Sequence, residues 1–189
     1  MRLFLAVSPD VAARLRIDAL RADVERAAGD AAPALRWVAA AVAHLTVHFL
    51  GEVDSGRLPV LVASLESSMP GPAIDLTLGP PEVSPASGPP RVVWMPVAAG
   101  AERLTEVHRT LGERVAREGI AIERRPFRPH LTIARVRDRE QRRARALGGR
   151  LRDLRLASIG WRVDHVTLFQ SDLSGPTPRY EALHTVTLA

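Results

Sequence analysis

Two hydrophobic periodicities alternate along the chain, and they predict a mixed fold. Residues 2–7 form an apolar run of strand length that Ser8-Pro9-Asp10 closes. Residues 9–28 carry Val11, Leu15, Leu20 and Val24 at helical spacing, with Gly29 at the end. Residues 35–38 and 44–50 read as strands, the second stopped by Gly51, and residues 57–68 as a second helix before Pro70-Gly71-Pro72. Residues 74–78 alternate as Ile, Asp, Leu, Thr, Leu, the pattern of a half-buried strand. Residues 79–90 are rich in Pro, Gly and Ser and predict a loop, placed where a link between two lobes would fall. The pattern then resumes with a strand at 91–97 and a helix at 102–118, striped by Leu104, Val107, Leu111 and Val115. A short strand at 120–123, a strand at 127–134, a helix at 139–147, and strands at 163–170 and 180–188 follow. The last two are joined by Ser174-Gly175-Pro176. The order of helix then strands repeats on either side of the 79–90 loop. That predicts an α+β chain of two similar lobes rather than a doubly wound parallel sheet, with residues 1–189 forming a single two-lobed domain.

Composition narrows the picture. At 189 residues, with 46% hydrophobic and 25% charged, the chain can bury one sizeable core. It has no cysteine, which excludes disulfide frameworks and thiolate metal sites. No apolar stretch reaches membrane-spanning length, so a soluble, cytoplasmic protein without a membrane partner is expected. The sequence pI of about 11.1 overstates the basic character. All 26 basic residues are arginine, which does not titrate near neutrality, and the net charge is only +5. This balance favours anionic partners weakly. Arginines cluster from Arg135 to Arg155 without interleaved aromatics, so a base-stacking platform is not expected there.

The chemistry-bearing signal is a repeated tetrapeptide, His44-Leu45-Thr46-Val47 and His130-Leu131-Thr132-Ile133. In a strand, residues two apart share a face, so each copy presents one imidazole and one hydroxyl together. Two such strands facing each other would supply an acid and a base to a phosphodiester. The same spacing recurs at His108-Arg109-Thr110 and His165-Val166-Thr167. The first lies on the 102–118 helix, where i and i+2 do not share a face. The second lies on a strand, so the pattern alone leaves the working pair open. Strict alternation puts His48 on the face of His44 and Thr46, Phe49 on the core face, and Arg135 on the face away from His130. No phosphate-binding glycine loop and no metal-ligand spacing occurs in the sequence.

Arg36-Trp37-Val38 followed by His44-Leu45-Thr46-Val47-His48-Phe49-Leu50-Gly51-Glu52-Val53 resembles the first motif region of the bacterial and archaeal RNA 2′,3′-cyclic phosphodiesterases. These are two-histidine phosphoesterases, formerly called 2′-5′ RNA ligases. The run from Arg125 to Arg135 resembles their second motif region. The start, Met1 to Val7, and the end, Val166 to Ser171 with Gly175, Tyr180 and Leu183, are similar to the family as well. Ala40-Ala41-Val42-Ala43 departs from the family's Pro- and Asn-containing turn before the first motif. The resemblance implies two pseudo-symmetric lobes, each a small antiparallel sheet backed by helices, with the active cleft between them. It implies metal-independent opening of a terminal RNA 2′,3′-cyclic phosphate to a 2′-phosphomonoester, without cofactor, by a monomer acting on RNA or oligonucleotide ends. It implies His44 and His130 as the catalytic pair, with His130 the base and His44 the acid. Thr46, Thr132 and Arg135 are then substrate-binding residues, and His165 occupies a variable position. The alternatives are a 2′-5′ ligase or 2′-5′ phosphodiesterase activity, or a non-catalytic RNA- or nucleotide-binding module on the same fold.

Overall fold

A computed structural model of the chain describes every residue except Arg124 and Pro176. The described residues form ten strands: β1 (Arg2–Val7), β2 (Leu35–Trp37), β3 (Leu45–Glu52), β4 (Ile74–Leu78), β5 (Glu82–Ser84), β6 (Val92–Ala99), β7 (His130–Val136), β8 (Gly160–Val163), β9 (His165–Asp172) and β10 (Arg179–Thr187). They also form four α-helices: α1 (Val11–Ala28), α2 (Leu58–Leu65), α3 (Ala101–Arg117) and α4 (Leu147–Arg152). The strands make two sheets with antiparallel pairing throughout, one ordered β10-β9-β1-β3 and one ordered β2-β7-β6-β4-β8, with β5 also on β6. The expected α+β class with two helix-backed antiparallel sheets is therefore what the chain adopts. No described helix is long and apolar enough to cross a membrane.

The lobes are not consecutive halves of the chain. β9 and β10 return to join β1 and β3, while β2 leaves the first part of the chain to pair with β7. The 79–90 segment joins β4 to β6 inside one sheet and carries β5, so it is not the link between lobes. Its Pro and Gly mark a turn within a sheet, which has the same local chemistry as an inter-lobe loop.

Local signals place the helices well. Asp10 caps α1 by accepting a hydrogen bond from the Ala13 N–H at 2.7 Å. The buried stripe of α1 runs through Ala13, Ile17, Leu20, Val24 and Ala28, so Val11 and Leu15 of the expected stripe lie in solvent. α3 buries Leu104, Val107, Leu111 and Val115 as expected, together with Gly112. Two expected elements differ. Residues 120–123 form no strand, residues 141–146 are turns, and the helix begins only at Leu147. Arg139, at the start of the expected helix, takes a left-handed backbone with φ 70°, which a right-handed helix excludes. The expected 174–176 turn includes Pro176, which lies outside the described residues. α1 packs on β8 of the six-stranded sheet, α2 on β10 of the four-stranded one, and α3 lies against both, touching β3 and β4. Both sheets share one continuous hydrophobic core.

Candidate active site

β3 and β7 come from different sheets, and their Cα atoms approach within 8 Å. Their burial patterns are the same: Leu45 to Leu50 and Leu131 to Val136 both run buried, intermediate, buried, buried, exposed, buried. The break in alternation is a β-bulge in each strand. In β3, Ala6 pairs with Thr46 and Leu5 with His48, leaving Val47 as the extra residue. In β7, Trp94 pairs with Thr132 and Val93 with Ala134, leaving Ile133 extra. An added residue inverts the facing of everything beyond it.

The bulges correct three facing expectations at once. His48 does not share the face of His44 and Thr46. It turns into the core, 2% exposed, and its Nε2–H donates to the His108 carbonyl at 2.6 Å. Phe49 does not join the core. It pairs with Phe4 on the cleft face and is 41% exposed. Arg135 pairs with Val92, which shares a face with Trp94 and hence with Thr132. The bulge thus returns Arg135 to the side of His130.

The two histidines are held alike. His44 Nδ1–H donates to the Val42 carbonyl at 2.9 Å, and His130 Nδ1–H donates to the Arg128 carbonyl at 2.7 Å. A carbonyl only accepts, so each Nδ1 carries a proton and each Nε2 is left for chemistry. The 40–43 segment forms a short 3₁₀ turn, Ala40–Val42, which presents the Val42 carbonyl without the family's usual residues. The walls of the two imidazoles differ. Phe4 lies 4.8 Å from the His44 ring, and Tyr180 meets it edge-on at 5.1 Å. Trp94 meets His130 edge-on at 4.6 Å. Burial holds the His44 imidazole below the ordinary histidine range, the Val42 bond opposes this, and the His130 charge adds to the lowering. Thr46 and Thr132 stand half-buried beside the two rings on the same strand faces.

The competing histidines separate on geometry. His165 is exposed at the start of β9, and its Nδ1 meets the carboxylate of Asp164 at 2.5 Å instead of a carbonyl two residues back. His108 sits on α3 in a three-ring stack, 4.0 Å from His48 and 4.1 Å from Phe127. Burial, and then the His48 charge, push His108 down to about 4. Three arginines of the Arg135–Arg155 cluster have structural partners. Arg137 donates to the Pro33 carbonyl, Arg143 pairs with Glu140, and Arg150 binds Ala28 and Asp30. Sequence reasoning missed Phe4 and Tyr180 as walls of His44. The strand pairings that bring β1 and β10 beside His44 cannot be read from the linear order. Among the described residues there is no group of three or more His, Asp or Glu placed to hold a metal ion.

Residues 8–175, a span that includes both His-Leu-Thr strands, match the 2′-5′ RNA ligase superfamily. The chain belongs to that superfamily. Within it, the chain is 31% identical over 164 residues to the RNA 2′,3′-cyclic phosphodiesterase of Geobacillus stearothermophilus. That match takes in 85% of this chain but only 51% of the relative, so the chain spans about half of that protein's length. It is 28% identical over 149 residues to the RNA 2′,3′-cyclic phosphodiesterase of Thermotoga maritima, covering 78% of this chain and 76% of that one. Among solved structures, Escherichia coli LigT in complex with 3′-AMP superposes with a TM-score of 0.73 at 27% identity, covering 99% of this chain and 97% of that one. The two-lobed fold of this superfamily is thus shared along almost the whole chain.

Proposed function

We propose that this cleft hydrolyses terminal RNA 2′,3′-cyclic phosphates to 2′-phosphomonoesters. The observation that carries the reading is the matched pair of imidazoles, each with Nδ1 tied to a carbonyl and Nε2 free. Binding alone requires no such pair. In-line opening of the ring needs a proton removed from water and another delivered to the departing oxygen. Following the family resemblance, His130 Nε2 takes the proton as the water oxygen bonds to phosphorus. His44 Nε2–H gives its proton to O3′ as the P–O3′ bond breaks. The products are a 2′-phosphate and a 3′-hydroxyl; one proton has entered at His130 and one has left from His44.

The roles require His44 protonated, although burial favours its neutral form. The anionic phosphate between the rings opposes that burial, so substrate binding itself loads the acid. A histidine that holds its proton weakly is also the stronger donor once loaded. Thr46 and Thr132 hydroxyls donate to the non-bridging oxygens, where charge grows in the transition state. Arg135 adds a fixed positive charge on the same face.

The test is a dinucleotide ending in 2′,3′-cyclic phosphate, with the product resolved as a 2′- or 3′-monophosphate. Formation of the 2′-phosphate, lost in His44→Ala and His130→Ala, supports the reading. An unaltered cyclic end, with the oligonucleotide bound, would favour the non-catalytic module. A 5′-hydroxyl RNA added to the same assay distinguishes 2′-5′ joining, which is the same geometry with a ribose hydroxyl in place of water.

A further inference from the structure

Three rings from three distant segments meet in one column, and the proposed reaction uses none of them. His108 of α3 lies between His48 of β3 and Phe127 of the segment that enters β7. The His48 ring is 4.0 Å from the His108 ring and inclined to it by 18°. The Phe127 ring is 4.1 Å from the His108 ring and inclined to it by 8°. Such near-parallel planes are those of stacked aromatic pairs. The column is fastened at its centre. His48 is buried, and its Nε2–H donates to the His108 backbone carbonyl at 2.6 Å. Gly112, one turn further along α3, allows this approach, because a methyl group there would stand 2.8 Å from His48 Nε2. β3 is therefore docked on α3 through a single residue, His108, by its carbonyl and its ring together. Burial holds both imidazoles below the ordinary histidine range, so at neutral pH no like charges push the stack apart.

The column also joins the two lobes. β3 belongs to the four-stranded sheet and β7 to the six-stranded one, and α3 touches strands of both. Each end of the column is a short, stiff step from a histidine of the cleft. His48 follows His44 by four residues along β3, and Phe127 precedes His130 by three. Between Phe127 and His130, the Arg128 carbonyl accepts from His130 Nδ1–H at 2.7 Å. Pro129 has a fixed φ, and its carbonyl accepts from the Val97 N–H at 3.0 Å. Pro126 restricts the chain on the other side of Phe127. A flat ring between two others holds them one aromatic layer apart on each side, which a branched aliphatic side chain does not reproduce. Acid and base must reach one phosphate together, and a displacement of about 1 Å can cost about 10²-fold in rate.

We infer that the His48–His108–Phe127 column is a clasp between the lobes that fixes the separation of His44 from His130. His48, His108 and Phe127 are then positioning residues, which act on the reaction only through the two cleft histidines. The inference rests on the proposed reaction and deepens it.

The experiment uses the full chain with adenosine 2′,3′-cyclic phosphate, folding being checked by circular dichroism. His108→Phe keeps a flat ring at the centre and should hold kcat within about three-fold of wild type. His108→Leu and Phe127→Leu keep apolar volume without the ring, and each should lower kcat by about 10- to 100-fold while KM moves by less than about three-fold. Both break the same column, so the double variant should be little worse than the poorer single. Should His108→Leu fail to fold, Phe127→Leu, at a half-buried position, carries the same comparisons. The chain has no cysteine, so spin labels can be attached through Glu181→Cys on β10 and Arg162→Cys on β8, exposed positions in different sheets. The distance between labels should be narrowly distributed with His108 or His108→Phe, and broader or shifted with His108→Leu or Phe127→Leu. A folded leucine variant with wild-type kcat, a His108→Phe protein as slow as the leucine variants, or a label distance that the leucine variants leave unmoved overturns the clasp. A ring-dependent label distance in a chain that leaves the cyclic phosphate untouched overturns the proposed reaction and leaves the clasp standing.

Discussion

Gly112 offers a sharp test of how β3 is braced. It lies in the middle of α3, where alanine is normally the better residue by about 1 kcal/mol. A methyl group at this position would fall 2.8 Å from Nε2 and 2.9 Å from Cε1 of His48, and 3.2 Å from Cδ1 of Ile122. The His48 ring cannot swing away freely. It is 2% exposed, stacked 4.0 Å from the His108 ring, and bonded at 2.6 Å to the His108 carbonyl. Relieving the clash means overpacking, at about 1–3 kcal/mol, or breaking that bond and leaving a buried donor unpaired, at about the same. Either outweighs the helix gain, so Gly112→Ala should destabilise the fold by roughly 1–3 kcal/mol. With a urea slope of about 1–3 kcal/mol/M, the midpoint should fall by something on the order of 1 M. Repeating the substitution in a His48→Ala background removes the obstructing ring. There Gly112→Ala should be neutral or stabilising, giving a coupling of at least about 1 kcal/mol. Equal effects in both backgrounds, or a more stable single Gly112→Ala protein, would refute the reasoning.

Four further outcomes are expected. His44→Ala and His130→Ala should each lower turnover by roughly 10²–10⁴, with the double variant little worse than the poorer single. His165→Ala should stay within several-fold of wild type, and equal damage there would mean the wrong strand had been chosen. The rate should follow a bell in pH, since one imidazole must be protonated and the other neutral. A plateau through the imidazole range would contradict the paired mechanism. Turnover should survive EDTA, because the acid, base and oxyanion donors are all side chains, and loss with divalent rescue would contradict this. Stability should depend on acid through His44, His48 and His108, whose folded-state values are all lowered, chiefly by burial, His108 to about 4. An unfolded imidazole titrates near 6.5, so between those values the unfolded chain binds more protons. The contribution is complete above about pH 6.5 and is lost toward pH 4, on the order of 1–3 kcal/mol. His108→Phe should flatten part of that decline in urea titrations at stepped pH, and an unchanged slope would count against the assignment.

Local pattern was enough to name candidate site residues and the class of fold. The two His-Leu-Thr copies, the stripe of α3, the alternation of residues 74–78 and the family resemblance are all carried by near neighbours in the chain. Strand and helix periodicity depends only on such neighbours. The facing of His48, Phe49 and Arg135 was not legible, because a bulge is defined by two strands. Nothing around Val47 or Ile133 marks an extra residue until β1 and β6 supply the register against which it is extra. The same limit applied to the lobes. The proline-rich 79–90 segment looked like a boundary, yet the long-range pairings of β2 with β7 and of β1 with β9 divide the chain differently. The His-x-Thr spacing of His165 matched that of His44 and His130, and only the family resemblance set it apart along the chain; locally its Nδ1 meets the neighbouring Asp164 carboxylate where the other two meet a carbonyl two residues back. The chemical groups were written in the linear order; which of them meet, and on which face, was decided by hydrogen-bond register between segments far apart in that order.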